Sequence, residues 1–158
     1  STGEIIYFGV PYGVNVLYLY VAHPKSRIGV IPYRDMLGET SPLYCTGIGK
    51  AMLAHMAEEE WESHLDTNRI QFQPNTITDK DAILEELRYI RRRGFSVDNE
   101  EHEPNIRCVG LPVFDSQGKV LAGISASGTC ESMTDTKLME CLAILRRAAY
   151  RIQERIDT

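Results

Sequence analysis

The chain opens with strand-like patterning. Residues 5–10 are rich in strand formers and stop at Pro11-Tyr12-Gly13, a turn signal. Residues 14–22 follow, with Val14, Val16, Tyr18 and Tyr20 on one face and Leu17, Leu19 and Val21 on the other. Apolar residues on both faces predict a central strand. His23-Pro24 breaks it, residues 27–31 form a third short strand closed by Pro32, and residues 33–41 read as a loop around Gly38.

After Pro42 the pattern changes. Leu43-Tyr44-Cys45-Thr46-Gly47-Ile48-Gly49-Lys50-Ala51-Met52-Leu53-Ala54 is a loop feeding a helix, small and apolar from Lys50 to about Met56, with Thr46 as its cap. An acidic helix follows over residues 58–65, with Trp61 and Leu65 as its apolar side and Glu58-Glu59-Glu60 as a solvated start. Residues 71–76 are loop. Thr78-Asp79-Lys80-Asp81 resembles a capping box with Asp in place of Glu, and its helix runs to Arg93. Ile83, Leu87 and Ile90 share one face with Leu84 beside them, and Gly94 is placed to end the helix. Strands return at 95–98, 107–115 and 119–127, the last two a hairpin about Ser116-Gln117-Gly118, and 99–105 is a charged loop. A final helix begins near Thr134; Leu138, Leu142, Leu145, Ala149, Ile152 and Ile156 recur at three and four residues as one stripe.

The order is three strands, helices, three strands and a helix. Hairpins at both ends predict an α+β domain: a mostly antiparallel six-stranded sheet with helices packed beside it. At 158 residues the chain is one domain with a sizeable core. Thr2-Gly3-Glu4, with strand pattern almost at once, predicts a piece of something longer.

Composition narrows the function classes. The chain is 43% hydrophobic and 25% charged, with a net charge of −5. That is the wrong sign for a domain that itself grips nucleic acid. The basic clusters Arg91-Arg92-Arg93 and Arg146-Arg147 lie in helical patterns, on solvated faces. No apolar run approaches the ~20 residues of a membrane span, and no signal peptide opens the chain. Cys45, Cys108, Cys130 and Cys141 form no CxxC pair, so reduced thiols and a cytoplasmic protein are expected.

Chemistry concentrates at the first helix. N–H groups at a helix start point outward and the dipole favours negative charge, so Gly47 and Gly49 fit a seat for a small carboxylate or phosphate. Taken alone, they fit a helix start packed closely on its neighbours better, since anion sites are a minority of helix starts. Gly49-Lys50 is not a P-loop, since Ala51 follows and Tyr44 holds the position of the first glycine; Met52 replaces the third glycine of a dinucleotide fingerprint. Gly123-Ile124-Ser125-Ala126-Ser127 misses the nucleophile elbow, which needs glycine where Ser127 stands. Ser125 and Ser127 instead share one face of a strand, and their hydroxyls need partners if buried, from a ligand or from neighbouring backbone. Asp98 and Cys108, at strand ends, fit the same cavity or a turn and a core position. His102 and His55 stand at spacings that imply no contact with Cys108 or Cys45, and His102, Glu103 and Cys108 meet no known metal-ligand spacing.

Several segments together resemble a known family. Thr2-Gly3-Glu4, Ser41-Pro42-Leu43-Tyr44 and Thr46 to Ala54 come first. Gly94-Phe95-Ser96-Val97-Asp98-Asn99-Glu100-Glu101, Arg107-Cys108, Pro112-Val113-Phe114-Asp115 with Gly118, and Ser125-Ala126-Ser127 follow. In this order they resemble the effector-binding domain of the IclR family of bacterial transcriptional regulators, over nearly the whole chain. The resemblance implies a GAF- or profilin-like fold over residues 1–158 and an absent N-terminal winged helix-turn-helix, through which alone the protein would meet DNA. It implies a homodimer or homotetramer, no enzymatic activity, no cofactor and no metal. It also implies that Gly47 and Ile48 offer N–H groups to a ligand carboxylate of the pyruvate, glyoxylate or sugar-acid type, and that Asp98, Cys108, Ser125 and Ser127 line the pocket. Asp98 would favour a ligand carrying hydroxyls and disfavour a second carboxylate. Asn105 stands where the family commonly has glycine, and Cys130 and Glu131 stand near a usual basic position; Asn tolerates the left-handed conformation. Two other classes remain: a thiol or serine enzyme using Cys108 or Ser125, and a metal or redox sensor using the four cysteines.

Overall fold

The computed structural model describes residues 3–24 and 36–156. Its strands are β1 (Ile5–Tyr12), β2 (Asn15–Ala22), β3 (Thr40–Pro42), β4 (Ser96–Asn99), β5 (Ile106–Phe114) and β6 (Val120–Thr129). They form one antiparallel sheet in the order β3-β2-β1-β6-β5-β4. The helices are α1 (Gly47–Ala54), α2 (Glu58–Leu65), α3 (Lys80–Arg93) and α4 (Asp135–Ile156).

The sheet is buried on both faces at β5. Val109, Leu111 and Val113 point to α4, whose Leu138, Cys141, Leu142, Leu145 and Ala149 complete that core. Each such buried aliphatic side chain contributes about 1.5–3 kcal/mol. The opposite face carries α1, with α2 and α3 packed outside it around Ile48, Met52, Trp61, Ile83, Leu87 and Ile90. The predicted stripes of α2, α3 and α4 are therefore the buried ones, although Ile156 ends the α4 stripe exposed.

α1 is fixed at both ends. Thr46 caps its start, accepting from the Gly49 N–H at 3.1 Å while its hydroxyl donates to the Pro42 carbonyl at 2.7 Å. At its end, the Leu53 carbonyl accepts from Trp61 Nε1 at 2.6 Å and the Ala54 carbonyl from Arg91 Nε at 2.9 Å. Arg91 also lies 5.3 Å from the Trp61 ring centre, so it is not the freely solvated charge its sequence position suggests.

Two expectations need correction, and a third is not reached by the described residues. The predicted strand 27–31 lies outside the described residues. The third strand seen is Thr40–Pro42, inside the predicted 33–41 loop; it forms because Thr40, Ser41 and Pro42 pair with Leu17, Val16 and Asn15 at the sheet edge, where a proline is tolerated. β2 lies inside the sheet between β3 and β1, as its two apolar faces predict, with Leu19 and Tyr20 exposed. Finally, Asp79 rather than Thr78 caps α3, accepting from the Ala82 N–H at 3.0 Å. Asn105 does adopt the left-handed conformation, at φ 60°.

Candidate functional site

Antiparallel register builds the site before any side chain is considered. Asp98 pairs with Cys108, Cys108 with Ser127, and Ser127 with Ile5. Two residues along, Ser96 pairs with Gly110, Gly110 with Ser125, and Ser125 with Tyr7. Alternation puts both rows on one face of the sheet. That face receives the N-terminus of α1. The Ser96 hydroxyl donates to the Gly47 carbonyl. A Cβ added at Gly47 would stand 2.6 Å from Cys108 Sγ and 3.5 Å from Asp98 Cβ. Gly110 faces the same contact from below, since a Cβ there would overlap the Gly47 carbonyl group. Both glycines thus serve close approach of helix to sheet. Gly49 does the same against Leu43, so the openness expected at these glycines is absent.

What the approach leaves exposed to the site is a pair of backbone donors. In the first turn the Gly49 N–H goes to the Thr46 hydroxyl and the Lys50 N–H to the Thr46 carbonyl. Those of Gly47 and Ile48 donate to no acceptor among the described residues, and both residues are buried. A buried donor without a partner is costly, about 1–3 kcal/mol each, so this pair is a receptor for an acceptor supplied from elsewhere.

The six predicted residues come together: Gly47 and Ile48 at the helix start, and Asp98, Cys108, Ser125 and Ser127 on the sheet face beneath it. The Cys108 thiol donates to the Val109 carbonyl at 3.8 Å, on the sheet face that carries both serines. Burial, with the Asp98 charge adding to it, pushes that thiol up to about 12. Burial pushes Cys45 up to about 12 as well, with Asp98 and Glu101 adding to it. A nucleophilic thiol needs the opposite shift, so neither cysteine is poised for catalysis. The His102 ring packs on Phe72 at 4.9 Å, and no three His, Cys, Asp or Glu side chains converge as metal ligands among the described residues. With Cys45, Cys108 and Cys141 buried, a thiol reagent at neutral pH is expected to modify Cys130 alone in the native protein; rapid labelling at Cys108, read by peptide mass, would revive the thiol-enzyme reading.

Residues not foreseen complete the site. Tyr7, beside Ser125 in the second row, packs against Tyr18 with ring centres 5.2 Å apart and planes tilted by 53°. Burial pushes Tyr7 up to about 12, so it stays a hydroxyl donor. Behind Asp98 lies Lys50, 1% exposed. Its ammonium donates to Glu86 and Glu101 at 2.8 Å each and to the Val97 carbonyl at 2.9 Å. Burial alone would lower the Lys50 pKa; Glu101 and Glu86 outweigh it and raise it. Glu101 in turn donates its backbone N–H to Asp98 Oδ1 at 2.8 Å. Burial, then the Glu101 charge, pushes Asp98 up to about 7, against the pull of the Glu101 N–H and Lys50. The alternation of β1, which puts Tyr7 on the face of Ile5, is the signal that could have found Tyr7. Nothing in the sequence pattern marks Lys50 as buried, since a lysine in a helix is ordinarily solvated.

Comparison with known proteins gives the family. The family described as "Bacterial transcriptional regulator IclR C-terminal" matches residues 1–154. The HTH-type transcriptional regulator BhcR of Paracoccus denitrificans is 40% identical over 140 residues, 87% of this chain and 48% of that protein. The chain thus spans about half the length of the curated relatives it matches. The crystal structure of Thermotoga maritima IclR superposes with a TM-score of 0.91 at 35% identity, covering 99% of this chain and 63% of that one. The C-terminal domain of the Escherichia coli transcriptional regulator KdgR superposes at 0.87 and 32%, covering 99% and 90%. The chain belongs to the IclR family of bacterial transcriptional regulators, as its C-terminal domain.

Proposed function

We propose that this domain senses a small organic acid and couples it to DNA binding by an N-terminal helix-turn-helix domain, such as the name of the BhcR relative carries. The observation that supports it best is the pair of Gly47 and Ile48 N–H groups, buried and without a partner among the described residues, beside Cys108 and Asp98. The ligand carboxylate lies on those amides, where the helix dipole favours it. Asp98, Cys108, Ser125 and Ser127 line the rest and read the carbonyl or hydroxyl oxygens of a pyruvate-, glyoxylate- or sugar-acid-type molecule. Binding then shifts the population of arrangements open to the DNA-binding domains of a cytoplasmic homodimer or homotetramer. No helix among the described residues is long and apolar enough to cross a membrane.

A thermal-shift screen against pyruvate, glyoxylate, sugar acids and aromatic acids tests this. Ligand at ~100 times its Kd adds ~2.7 kcal/mol, and a domain of this size gains roughly 2–4 °C per kcal/mol. Combining Asp98→Ala with Ser125→Ala removes two polar contacts and is expected to weaken binding by about 30-fold or more. Unchanged affinity in that double variant sinks the site assignment.

A further inference from the structure

We propose that the site takes its carboxylate ligand together with one proton, held on Asp98, and that Lys50, Glu86 and Glu101 are the positioning residues that impose this. The proposal rests on the ligand site proposed above.

Asp98 is 6% exposed, and the one hydrogen bond its carboxylate accepts from the described residues is the Glu101 N–H on Oδ1. The neighbouring cation gives it no contact: the three N–H bonds of Lys50 run to Glu86, Glu101 and the Val97 carbonyl. Lys50 is thus matched against two carboxylates already. Among the described residues, the other groups that bear most strongly on Asp98 are not positive. From the β4–β5 loop come Glu101 and Glu103; Cys45 precedes α1, Cys108 lies on β5 and Cys130 follows β6, all thiols held neutral by shifts upward. α3 contributes Glu86 through Lys50. Onto this, a carboxylate seated on the Gly47 and Ile48 amides would come close to Asp98, whose Cβ lies 3.5 Å from where a Gly47 Cβ would stand. Two carboxylates in one dry site do not both ionise. The ligand keeps its charge because backbone donors and the helix dipole face it. Asp98 takes the proton from solvent, on Oδ2, and becomes a hydrogen-bond donor to an acceptor oxygen of the ligand.

This names a ligand class. A monoanion with a carbonyl or ether-like acceptor beside its carboxylate fits the acid form of Asp98; a dianion does not. It also fixes the sign of the pH effect. The free site holds Asp98 at about 7. Only the protonated fraction is competent, so Kd rises about tenfold between pH 6 and pH 8.

The experiment is isothermal titration of this chain with the tightest binder among pyruvate, glyoxylate, gluconate and methoxyacetate, all ionised across the range. Titrations run from pH 5.5 to 8.5, and at neutral pH in buffers of different ionisation enthalpy. The expected results are net proton uptake near neutrality and the tenfold loss of affinity. Asp98→Asn keeps an acceptor for the Glu101 N–H and a donor in place of the acid proton. It is expected to bind at pH 8 within about threefold of the wild type at pH 6, with a flat pH profile and no proton uptake. Glu101→Gln removes the nearest negative charge and moves the wild-type pH midpoint downward, which a merely structural role would not do; if that variant does not fold, Asp98→Asn decides. Binding by the wild type without proton uptake, or loss of binding in Asp98→Asn, overturns the proton coupling and leaves the ligand site standing. No binding by any of the four acids at any pH overturns both.

Discussion

Lys50→Met is expected to destabilise the domain by about 3–5 kcal/mol, the cost of stranding buried charge, out of a total of about 5–15 kcal/mol for a natural domain. Methionine fills the volume but leaves Glu101 and Glu86 without their cation. The two do not suffer equally. Glu86 has a side chain 20% exposed and turns to water, whereas that of Glu101 is 7% exposed and its backbone carbonyl is tied to the Thr76 hydroxyl. Most of the loss therefore belongs to Glu101. Its pKa, already raised by burial with Lys50 present, rises further without Lys50. The native variant then binds more protons than the unfolded chain at every pH above the ordinary carboxylate range and below the new Glu101 value. Stability of Lys50→Met is retained in acid and lost as pH rises through that window, so the gap from wild type widens between pH 4 and pH 7. Adding Glu101→Gln should restore most of the neutral-pH loss. Urea unfolding of the three proteins at both pH values checks this; a pH-independent gap below about 1 kcal/mol would place these charges in water after all.

The same residue marks where the sequence stops being legible. Periodicity located α2, α3 and α4 and their buried faces, because Trp61, Leu87 or Leu142 must leave water wherever the chain goes. The cap at Thr46 and the left-handed Asn105 were also legible, since both follow from local backbone chemistry. The pairing of Ser125 with Ser127 followed from strand alternation alone. The Thr40–Pro42 strand was not legible, because only its pairing with Asn15, Val16 and Leu17 makes it one. Nor was the buried triad. Lys50, Glu86 and Glu101 are spread over 52 positions and meet only when α1, α3 and the β4–β5 loop converge. Glycine chemistry misled in an instructive way: Gly47 and Gly49 suggested open backbone, and the fold uses the missing side chains for packing, while the free donors come from position in the first helical turn.

That packing gives the second large effect. Gly47→Ala is expected to cost about 1–3 kcal/mol by overpacking, and the loss should be rescued in the Cys108→Ala background. The new Cβ meets Cys108 Sγ at 2.6 Å, but its next neighbours, Cys108 Cβ at 3.4 Å and Asp98 Cβ at 3.5 Å, are tolerable. Deleting the sulfur removes the obstruction, so the double-mutant cycle should return a coupling energy of about 1–2 kcal/mol. Gly110→Ala is the contrasting case. Its Cβ runs into the Gly47 carbonyl, with the carbonyl carbon 2.7 Å away, and Ser96 Oγ at 2.8 Å closes the other side. No side-chain truncation clears a backbone carbonyl. Either the first turn of α1 lifts off the sheet or the protein bears the full strain, about 3 kcal/mol or somewhat more. Lifting withdraws the Gly47 and Ile48 amides from Asp98 and Ser125, so ligand affinity should fall about tenfold or more even in the fraction that remains folded. Neither Cys108→Ala nor Ser96→Ala should restore it. Rescue of Gly110→Ala by Cys108→Ala would mean that the sulfur, rather than the helix backbone, sets the distance between α1 and the sheet, and the site would then be built on a side chain that a single substitution can move.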